Sequence, residues 1–324
     1  MPILCKIHRG DFIESIHVAY AVAVNEAGEI LYSSGDPDYI TCVRSTLKPF
    51  QASAAVKKGA TETVGFNSAE CTLMCASHNG EDIHVKTAES MLQKIGYDTS
   101  HYECGTHFPY DKESKIKLIQ NDENPSALHN NCSGKHAGML CLAKHLQIDP
   151  KGYTDLNHPV QQLIMEQVRR FSELDDFPLA IDGCSAPVPF LPLFNIALMY
   201  QKFAGGNYDE LNTLFDAITS NPYLIAGQDR FDTDFIKAMA GNAVTKVGGE
   251  GVRGVGIRTA KGETYGVALK VLDGNQRCNP IATLAVLEDM ELLTDDELDK
   301  LSPYKKIVLQ NHRKIETGSI KVEL

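Results

Sequence analysis

The sequence lacks several features that each define a class of protein. No segment has about 18 uninterrupted apolar residues, so no transmembrane helix is predicted. The opening residues, MPILCKIHRG, do not combine a basic stretch with an apolar run, so no secretion signal is predicted. Basic residues are the minority, with 31 Lys and Arg against 42 Asp and Glu, and no basic stripe for nucleic acid is present. We therefore expect a cytoplasmic protein that binds neither a membrane nor nucleic acid.

A disulfide framework is also not expected. The nine cysteines are an odd number and are scattered along the chain, and without a secretion signal this predicts reduced thiols. What the chain does have is enough apolar material for a large core, with 43% hydrophobic residues. We interpret residues 1–324 as a single domain.

The two ends of the chain have strand patterns and the middle has helix patterns. Apolar residues alternate over residues 16–24, and the turn at 25–28 leads into a further short strand, which predicts a hairpin. Alternation returns at 255–259 and 265–271. The predicted fold is α/β in the α+β sense: a mixed, mainly antiparallel sheet of N- and C-terminal strands, with a helical lobe inserted at about 45–241.

One helix of the lobe is predicted especially clearly. Pro159 suits the first helical position after a cap at Asn157 or His158, and residues 160–174 place their apolar side chains on one stripe. A short buried strand is expected at residues 179–182. Further helices are predicted at 46–58, 81–94, 134–146, 207–219 and 232–240.

The first chemical motif is Ser45-Thr-Leu-Lys48. Its serine and lysine have the i, i+3 spacing that places them on one face of a helix start, and Pro49 is tolerated only in a first turn. A desolvated lysine loses its proton more easily and can then deprotonate a serine hydroxyl. The motif alone is weak, because it recurs at Ser114/Lys117 and Ser302/Lys305. The competing interpretation is a helix cap with a solvated lysine.

Two further motifs strengthen the first. Ser77-His78-Asn79 has the form S-x-N, and Lys246-Val247-Gly248 has the form K-x-G. With S-x-x-K these follow the order found in penicillin-binding proteins and class A β-lactamases. In that arrangement the serine of S-x-N relays a proton, and the lysine of K-x-G holds that serine and a substrate carboxylate. The alternative for Ser77 is a loop serine that caps the next helix.

A third cluster contains metal-binding residue types. Cys132, Lys135 and His136 fall within one turn of a predicted helix start, and Cys184 follows the predicted strand at 179–182. Thiolates and imidazole are zinc ligands, although a lysine ligand would have to be neutral. The alternative is a pair of buried free cysteines.

Six blocks together carry a family resemblance. They are RSTLKPFQA (44–52), CASHNGEDIH (75–84), NNCSGKHAGML (130–140), DGCSAPVPFLPL (182–193), AGQDRFDT (226–233) and TKVGGEGV (245–252). In this order they resemble the rhizobial-type, or class 3, L-asparaginases, whose fold is similar to that of serine β-lactamases and glutaminases. The chain after about residue 300 has no clear match to the family.

The resemblance implies roles for individual residues. It implies two serine–lysine pairs, Ser45 with Lys48 and Ser77 with Lys246, and a homodimer. It also implies a zinc site and a substrate pocket near it. The implied zinc ligands are Cys132, Lys135 and Cys184, and the implied pocket residues are Arg44, His136, Asp182 and Arg230.

The resulting hypothesis is hydrolysis of L-asparagine to L-aspartate and ammonia by a serine that a lysine activates. Glutaminase or another serine–lysine amidohydrolase is the nearest alternative, because one methylene of substrate gives only ~1–3 kcal/mol of discrimination. A β-lactamase or D,D-peptidase would share the fold but would normally be exported. A non-catalytic zinc-binding protein would keep the cysteines without hydrolysis.

Overall fold

The computed structural model describes all 324 residues. The strands are β1 (Ile3–Arg9), β2 (Phe12–Val24), β3 (Ile30–Ser34), β4 (Ile40–Cys42), β5 (Leu179–Ile181), β6 (Pro187–Pro192), β7 (Ala243–Gly248), β8 (Val252–Arg258), β9 (Thr264–Val271), β10 (Val308–Gln310) and β11 (Glu316–Glu323). The helices are α1 (Lys48–Lys57), α2 (Ala60–Val64), α3 (Ser68–Cys75), α4 (Asp82–Ile95), α5 (Lys112–Gln120), α6 (Ser133–His145), α7 (Pro159–Ser172), α8 (Leu193–Ala204), α9 (Asp209–Ser220), α10 (Phe231–Ala238), α11 (Asn279–Asp289), α12 (Asp295–Lys300) and α13 (Ser302–Lys305). None of the helices combines the length and apolar character needed to span a bilayer.

The chain divides into two compact units. The first contains Met1–Thr46, Leu191–Gly205 and Ala238–Leu324, and the second contains Leu47–Phe190 and Gly206–Lys237. The interpretation of residues 1–324 as a single domain stays a prediction.

The first unit is built on an eight-stranded antiparallel sheet. Its order is β10-β11-β1-β2-β9-β8-β7, and β3 also pairs with β2. Helix α8 packs on β8 and β9, and glycines in those strands permit the approach. A Cβ on Gly266 would lie 2.0 Å from the Ala197 carbonyl oxygen, and one on Gly254 would lie 2.0 Å from the Tyr200 ring. The predicted sheet of N- and C-terminal strands is confirmed.

The second unit is mainly helical. Helix α7 begins at Pro159, and the His158 side chain accepts a hydrogen bond from the Val160 N–H, so the predicted cap is His158. Helix α6 is buried on all sides over residues 133–143, including its polar residues, and it packs closely on α3. A Cβ on Gly134 would lie 2.2 Å from the Leu73 carbonyl oxygen, so glycine there lets the start of α6 touch α3.

One prediction about this unit is wrong. Residues 179–181 do form a strand, β5, which pairs antiparallel with β6, but the strand is exposed rather than buried. Ile181 is 82% exposed. A run of three apolar residues does not distinguish a buried strand from one that faces solvent. Cys184, just beyond it, is buried as expected.

Candidate active site

Lys48 and Ser77 form a buried contact in the second unit. Lys48 is the first residue of α1, with Pro49 in the first turn, and its side chain is only 1% exposed. Its Nζ donates to the Ser77 Oγ at 3.0 Å, to the Asn131 carbonyl at 3.1 Å and to the Ala76 carbonyl. Three acceptors thus surround the amine, and all three are uncharged.

This geometry suits a proton acceptor as well as an ammonium. In the charged form, Lys48 uses its three N–H groups on the three oxygens. In the neutral form, two N–H groups can stay on the carbonyls of Ala76 and Asn131 while the lone pair points at the Ser77 hydroxyl. The interpretation of Lys48 as a solvated surface lysine does not fit its burial.

Backbone hydrogen bonds fix the segment that contains Ser77, and Ser77 does not cap a helix. The Ser77 N–H donates to the Ile225 carbonyl at 3.0 Å, and the Asn79 N–H donates to the Ala226 carbonyl at 2.8 Å. The next helix, α4, is capped by Glu81, so Ser77 is not its cap.

Arg230 is attached to the same segment. Its NH1 donates to the Asn79 Oδ1 at 2.7 Å. The Asn79 Nδ2 in turn donates to the Gln228 carbonyl at 3.0 Å and to the Glu81 carboxylate at 3.1 Å. The structure therefore brings the predicted pocket residue Arg230 to the S-x-N motif. It does so directly through Asn79, and Glu81, which carried no recognisable signal in the sequence, holds Asn79 in turn.

Behind this segment lie two stacked histidines. The rings of His78 and His84 are 4.9 Å apart, and both residues are fully buried. The His78 Nδ1 accepts from the Gly80 N–H, so its Nε2 carries the proton and donates to the Ser133 Oγ at 2.9 Å. Burial lowers the pKa of His78 well below its usual value and that of His84 to about 4. Both rings are neutral at pH 7.

The cysteine and lysine cluster surrounds the start of α6. Cys132 precedes the first residue of α6, and Lys135 is buried one turn later. The Lys135 Nζ donates to the Cys184 sulfur at 2.8 Å. A hydrogen bond from the Cys132 thiol, together with the Lys135 ammonium, holds the pKa of Cys184 far below that of an ordinary thiol. The same hydrogen bond and burial raise the pKa of Cys132.

Lys135 is therefore an ammonium paired with a thiolate. Burial opposes its charge, but the attraction of Cys184 and Cys132 is stronger, and the net effect raises the pKa of Lys135. The carboxylate of Asp182 lies 3.8 Å from the Cys184 sulfur. The His136 Nδ1 is 2.8 Å from the Tyr153 hydroxyl, and the His136 ring also interacts with the Cys184 sulfur. Burial lowers the pKa of His136.

The chemistry of this donor set fits zinc. Nowhere in the structure are three His, Cys, Asp or Glu side chains arranged as an ordinary metal site. A metal at this cluster would thus need Lys135 as a ligand beside Cys132 and Cys184. Soft thiolates and a nitrogen donor suit zinc once Lys135 and Cys132 lose their protons. His136, beside Cys184, is a further nitrogen donor in the cluster.

Three predicted residues lie in the first unit. Ser45 belongs to the 3-10 turn Arg44–Leu47 and is partly exposed. Arg44 has a left-handed backbone (φ 49°), and its guanidinium lies against Gly249, where a Cβ would be 3.1 Å from its Cζ. Lys246 is buried on β7, and its Nζ donates to the Val247 carbonyl at 2.8 Å.

The two other S-x-x-K motifs lie on the surface. Lys117 pairs with Asp82 at 3.1 Å, and Lys305 pairs with Glu288 at 2.5 Å, all with exposed side chains. Such pairs contribute little to stability. Among the three S-x-x-K lysines, only Lys48 is buried against a serine hydroxyl.

Comparison with known families shows to which family the chain belongs. The family model for L-asparaginase II matches residues 5–322. The chain belongs to the L-asparaginase II family. This confirms the resemblance seen in the six blocks, and it makes the protein a member of a family of asparaginase-type amide hydrolases. Among curated proteins, the sequence has no significant match.

The solved structures that resemble this one have low sequence identity to the chain. A β-lactamase from Sphaerobacter thermophilus DSM 20745 is 12% identical, with a TM-score of 0.44 over 86% of this chain and 92% of that one. The protein Mglu in its native form is 14% identical, with a TM-score of 0.38, and the chain spans 62% of its length. With TM-scores below 0.5, these similarities do not bear on the activity.

Proposed function

We propose that the protein is an L-asparaginase that hydrolyses L-asparagine to L-aspartate and ammonia through a serine nucleophile activated by Lys48. The observation that supports this most directly is the 3.0 Å contact between the Lys48 Nζ and the Ser77 Oγ, in a chain of the L-asparaginase II family. A buried lysine with only uncharged acceptors is a suitable general base for a hydroxyl.

Exposure favours Ser45 as the nucleophile and Ser77 as the relay. A substrate must reach the attacking oxygen, and Ser45 is partly exposed, whereas Ser77 is 6% exposed. Ser45 attacks the side-chain amide carbon while Lys48 accepts the proton, through Ser77 or directly. The protonated lysine then donates to the departing ammonia, and water hydrolyses the aspartyl ester. Lys246, from the K-x-G motif, assists the Ser77 hydroxyl.

Arg230 is the proposed partner of the substrate α-carboxylate. One of its nitrogens is fixed by Asn79, and its remaining N–H groups have no partner, so a planar fork is available for a carboxylate. Arg44 is the second candidate. His136 and Asp182 are proposed to shape the pocket beside the cysteine cluster.

Cys132, Lys135 and Cys184 are the proposed zinc ligands. When bound, zinc would supply a positive centre that positions the substrate and polarises a carbonyl oxygen. The residues themselves keep one thiolate ready at Cys184, and they exclude water by burial. We also propose a cytoplasmic homodimer, for which the molar mass in solution is the test.

The test is ammonia release from L-asparagine, L-glutamine and a β-lactam control. We expect turnover of asparagine, a loss of about 10⁴-fold in kcat for Ser45→Ala and of about 10²-fold for Ser77→Ala. Ser114→Ala, in a surface S-x-x-K, is the matched control and keeps wild-type activity. Full activity in Ser45→Ala would transfer the nucleophile to Ser77. Faster glutamine turnover would favour glutaminase, and no amide hydrolysis with zinc present would contradict the proposal.

A further inference from the structure

The Glu81 side chain connects the two segments that carry Ser77 and Arg230. Its Oε1 accepts from the Gln228 N–H at 2.9 Å and from the Asn79 Nδ2 at 3.1 Å. Its Oε2 accepts from the Tyr223 hydroxyl at 2.5 Å. The three donors belong to two segments that are more than 140 residues apart in the chain. All three donors are uncharged, and hydrogen bonds from neutral donors to a carboxylate are among the stronger ones.

The loop between Tyr223 and Arg230 is shaped around this carboxylate. Gly227 has φ +111°, and a Cβ there would lie 2.1 Å from the Glu81 Oε1. Only glycine tolerates both that backbone conformation and that approach. The Gly227 N–H is turned away and donates to the Thr233 hydroxyl at 3.1 Å. The backbone therefore passes directly over the carboxylate, three residues before Arg230.

Arg230 depends on the same contacts. Its only hydrogen bond is to the Asn79 Oδ1, and the Asn79 Nδ2 is held by Glu81 and by the Gln228 carbonyl. If the carboxylate no longer fixes Asn79 and Gln228, the hydrogen-bond partner of Arg230 and the backbone that leads to Arg230 both become more mobile. Loss of the Glu81 charge thus changes the direction of the guanidinium without removing it.

We propose that Glu81 is a positioning residue for substrate binding, which holds Asn79 and the 226–230 loop so that the Arg230 guanidinium faces the substrate α-carboxylate. The proposal rests on the proposed function only in its assignment of Arg230 to the α-carboxylate. Glu81 does not take part in proton transfer to the amide, so its effect belongs to KM rather than to kcat.

The kinetic test uses the purified full chain and steady-state ammonia release from L-asparagine. Glu81→Gln keeps the size of the side chain but replaces one acceptor oxygen with an amide donor. We expect KM to rise about 10-fold, because the loss of a hydrogen bond to a charged group costs about that factor in binding. We expect kcat to stay within about 3-fold of wild type. Glu89→Gln, an exposed glutamate on the same helix α4, is the matched control and leaves both constants unchanged.

A double-mutant cycle separates positioning from general destabilisation. In the background of Arg230→Ala, Glu81→Gln should cause no further rise in KM, because the group it positions is gone. Multiplying effects in the double variant, or a loss in kcat with an unchanged KM, would overturn the proposal. If Glu81→Gln does not fold, Tyr223→Phe removes one of the three donors and should raise KM about 3-fold by the same route.

A chemical readout keeps this test independent of turnover. The rate at which phenylglyoxal modifies Arg230 is measured by peptide mass spectrometry, with the exposed Arg9 as the internal reference. We expect Arg230 to react about 5-fold faster in Glu81→Gln than in the wild type, since the guanidinium loses its fixed partner. Equal rates would overturn the positioning role. Wild-type protein without asparaginase activity but with this rate difference would contradict only the proposed function.

Discussion

Two buried lysines of the second unit have opposite surroundings. Lys48 donates to two backbone carbonyls and the Ser77 hydroxyl, all uncharged. Lys135 donates to the Cys184 sulfur, which is a thiolate. Burial opposes the charge of Lys135, and the anionic sulfur in contact with it offsets that cost, whereas Lys48 contacts no anion. The surroundings of Lys48 fit proton transfer, and those of Lys135 fit an ion pair or a metal ligand.

The largest expected effect comes from removing the first lysine. Lys48→Met should lower kcat for asparagine by at least about 10⁴-fold, because the base is lost while the apolar stem is retained. Lys117→Met, from a surface S-x-x-K motif, should remain at wild-type activity. Steady-state ammonia release measures both. The distinction between the two buried lysines fails if Lys48→Met stays active and Lys135→Met does not.

The second effect concerns zinc at the other lysine. Lys135→Met should weaken zinc binding about 100-fold, since one of three ligands is lost. Calorimetric titration of the metal-free protein with zinc gives the affinity. Lys144→Met, an exposed lysine on the same helix, is the control. Equal zinc affinity in Lys135→Met would remove Lys135 from the ligand set, and no zinc binding by the wild type would contradict the site itself.

Proton release sharpens the same comparison. Cys184 is already a thiolate, whereas the pKa values of Cys132 and Lys135 are raised, so both carry protons at pH 7. Zinc binding should therefore release about two protons, because ligands bind in their deprotonated forms. Titrations in buffers with different ionisation enthalpies give this number. If zinc binds without releasing protons, Lys135 keeps its proton and is not a ligand.

The smallest effect is on stability at acid pH. The folded-state pKa of His84 is about 4, below the ~6.5 of an unfolded histidine, so the unfolded chain takes up the proton first as the pH falls. The contribution of His84 to stability is therefore complete above about pH 6.5 and is lost progressively as the pH falls to about 4. Between pH 7 and pH 5 we expect His84 to cost about 2 kcal/mol in the free energy of unfolding, measured with urea.

A variant assigns that pH dependence to the ring. His84→Asn keeps an acceptor for the Glu81 N–H, which now donates to the His84 Nδ1 at 3.2 Å, but cannot titrate. The loss of stability between pH 7 and pH 5 should be smaller in this variant by about the same 2 kcal/mol. An unchanged pH dependence would mean that His84 is protonated in the folded state.

Much of the fold was predictable from local patterns. The cap and stripe of α7 and the terminal strands follow from residue spacing that local physics enforces. The helices that were not predicted are α2, α3, α5, α8, α12 and α13. All except α8 are short, and α8 is buried at nearly every position, so it has no apolar stripe against a polar face. The exposure of β5 depends on what packs over it, which a three-residue run does not encode.

The site was predictable in its residue types but not in its contacts. Sequence motifs pointed to Lys48 and Ser77, yet paired Lys48 with Ser45, and the contact between Lys48 and Ser77 is a product of tertiary packing. Glu81 was missed because its partners Tyr223 and Gln228 are more than 140 residues away. The sequence around a lone acidic residue at a helix cap does not predict such long-range contacts.

In the proposed mechanism, Lys48 activates a serine for attack on the amide. The most direct measurement is acid quenching of the enzyme during turnover of L-asparagine, followed by peptide mass spectrometry of the wild type and of Lys48→Met. We predict an aspartyl ester on Ser45 in the wild type and none in Lys48→Met. A wild type that turns over asparagine without a serine ester, or an equal ester yield in Lys48→Met, would contradict the account.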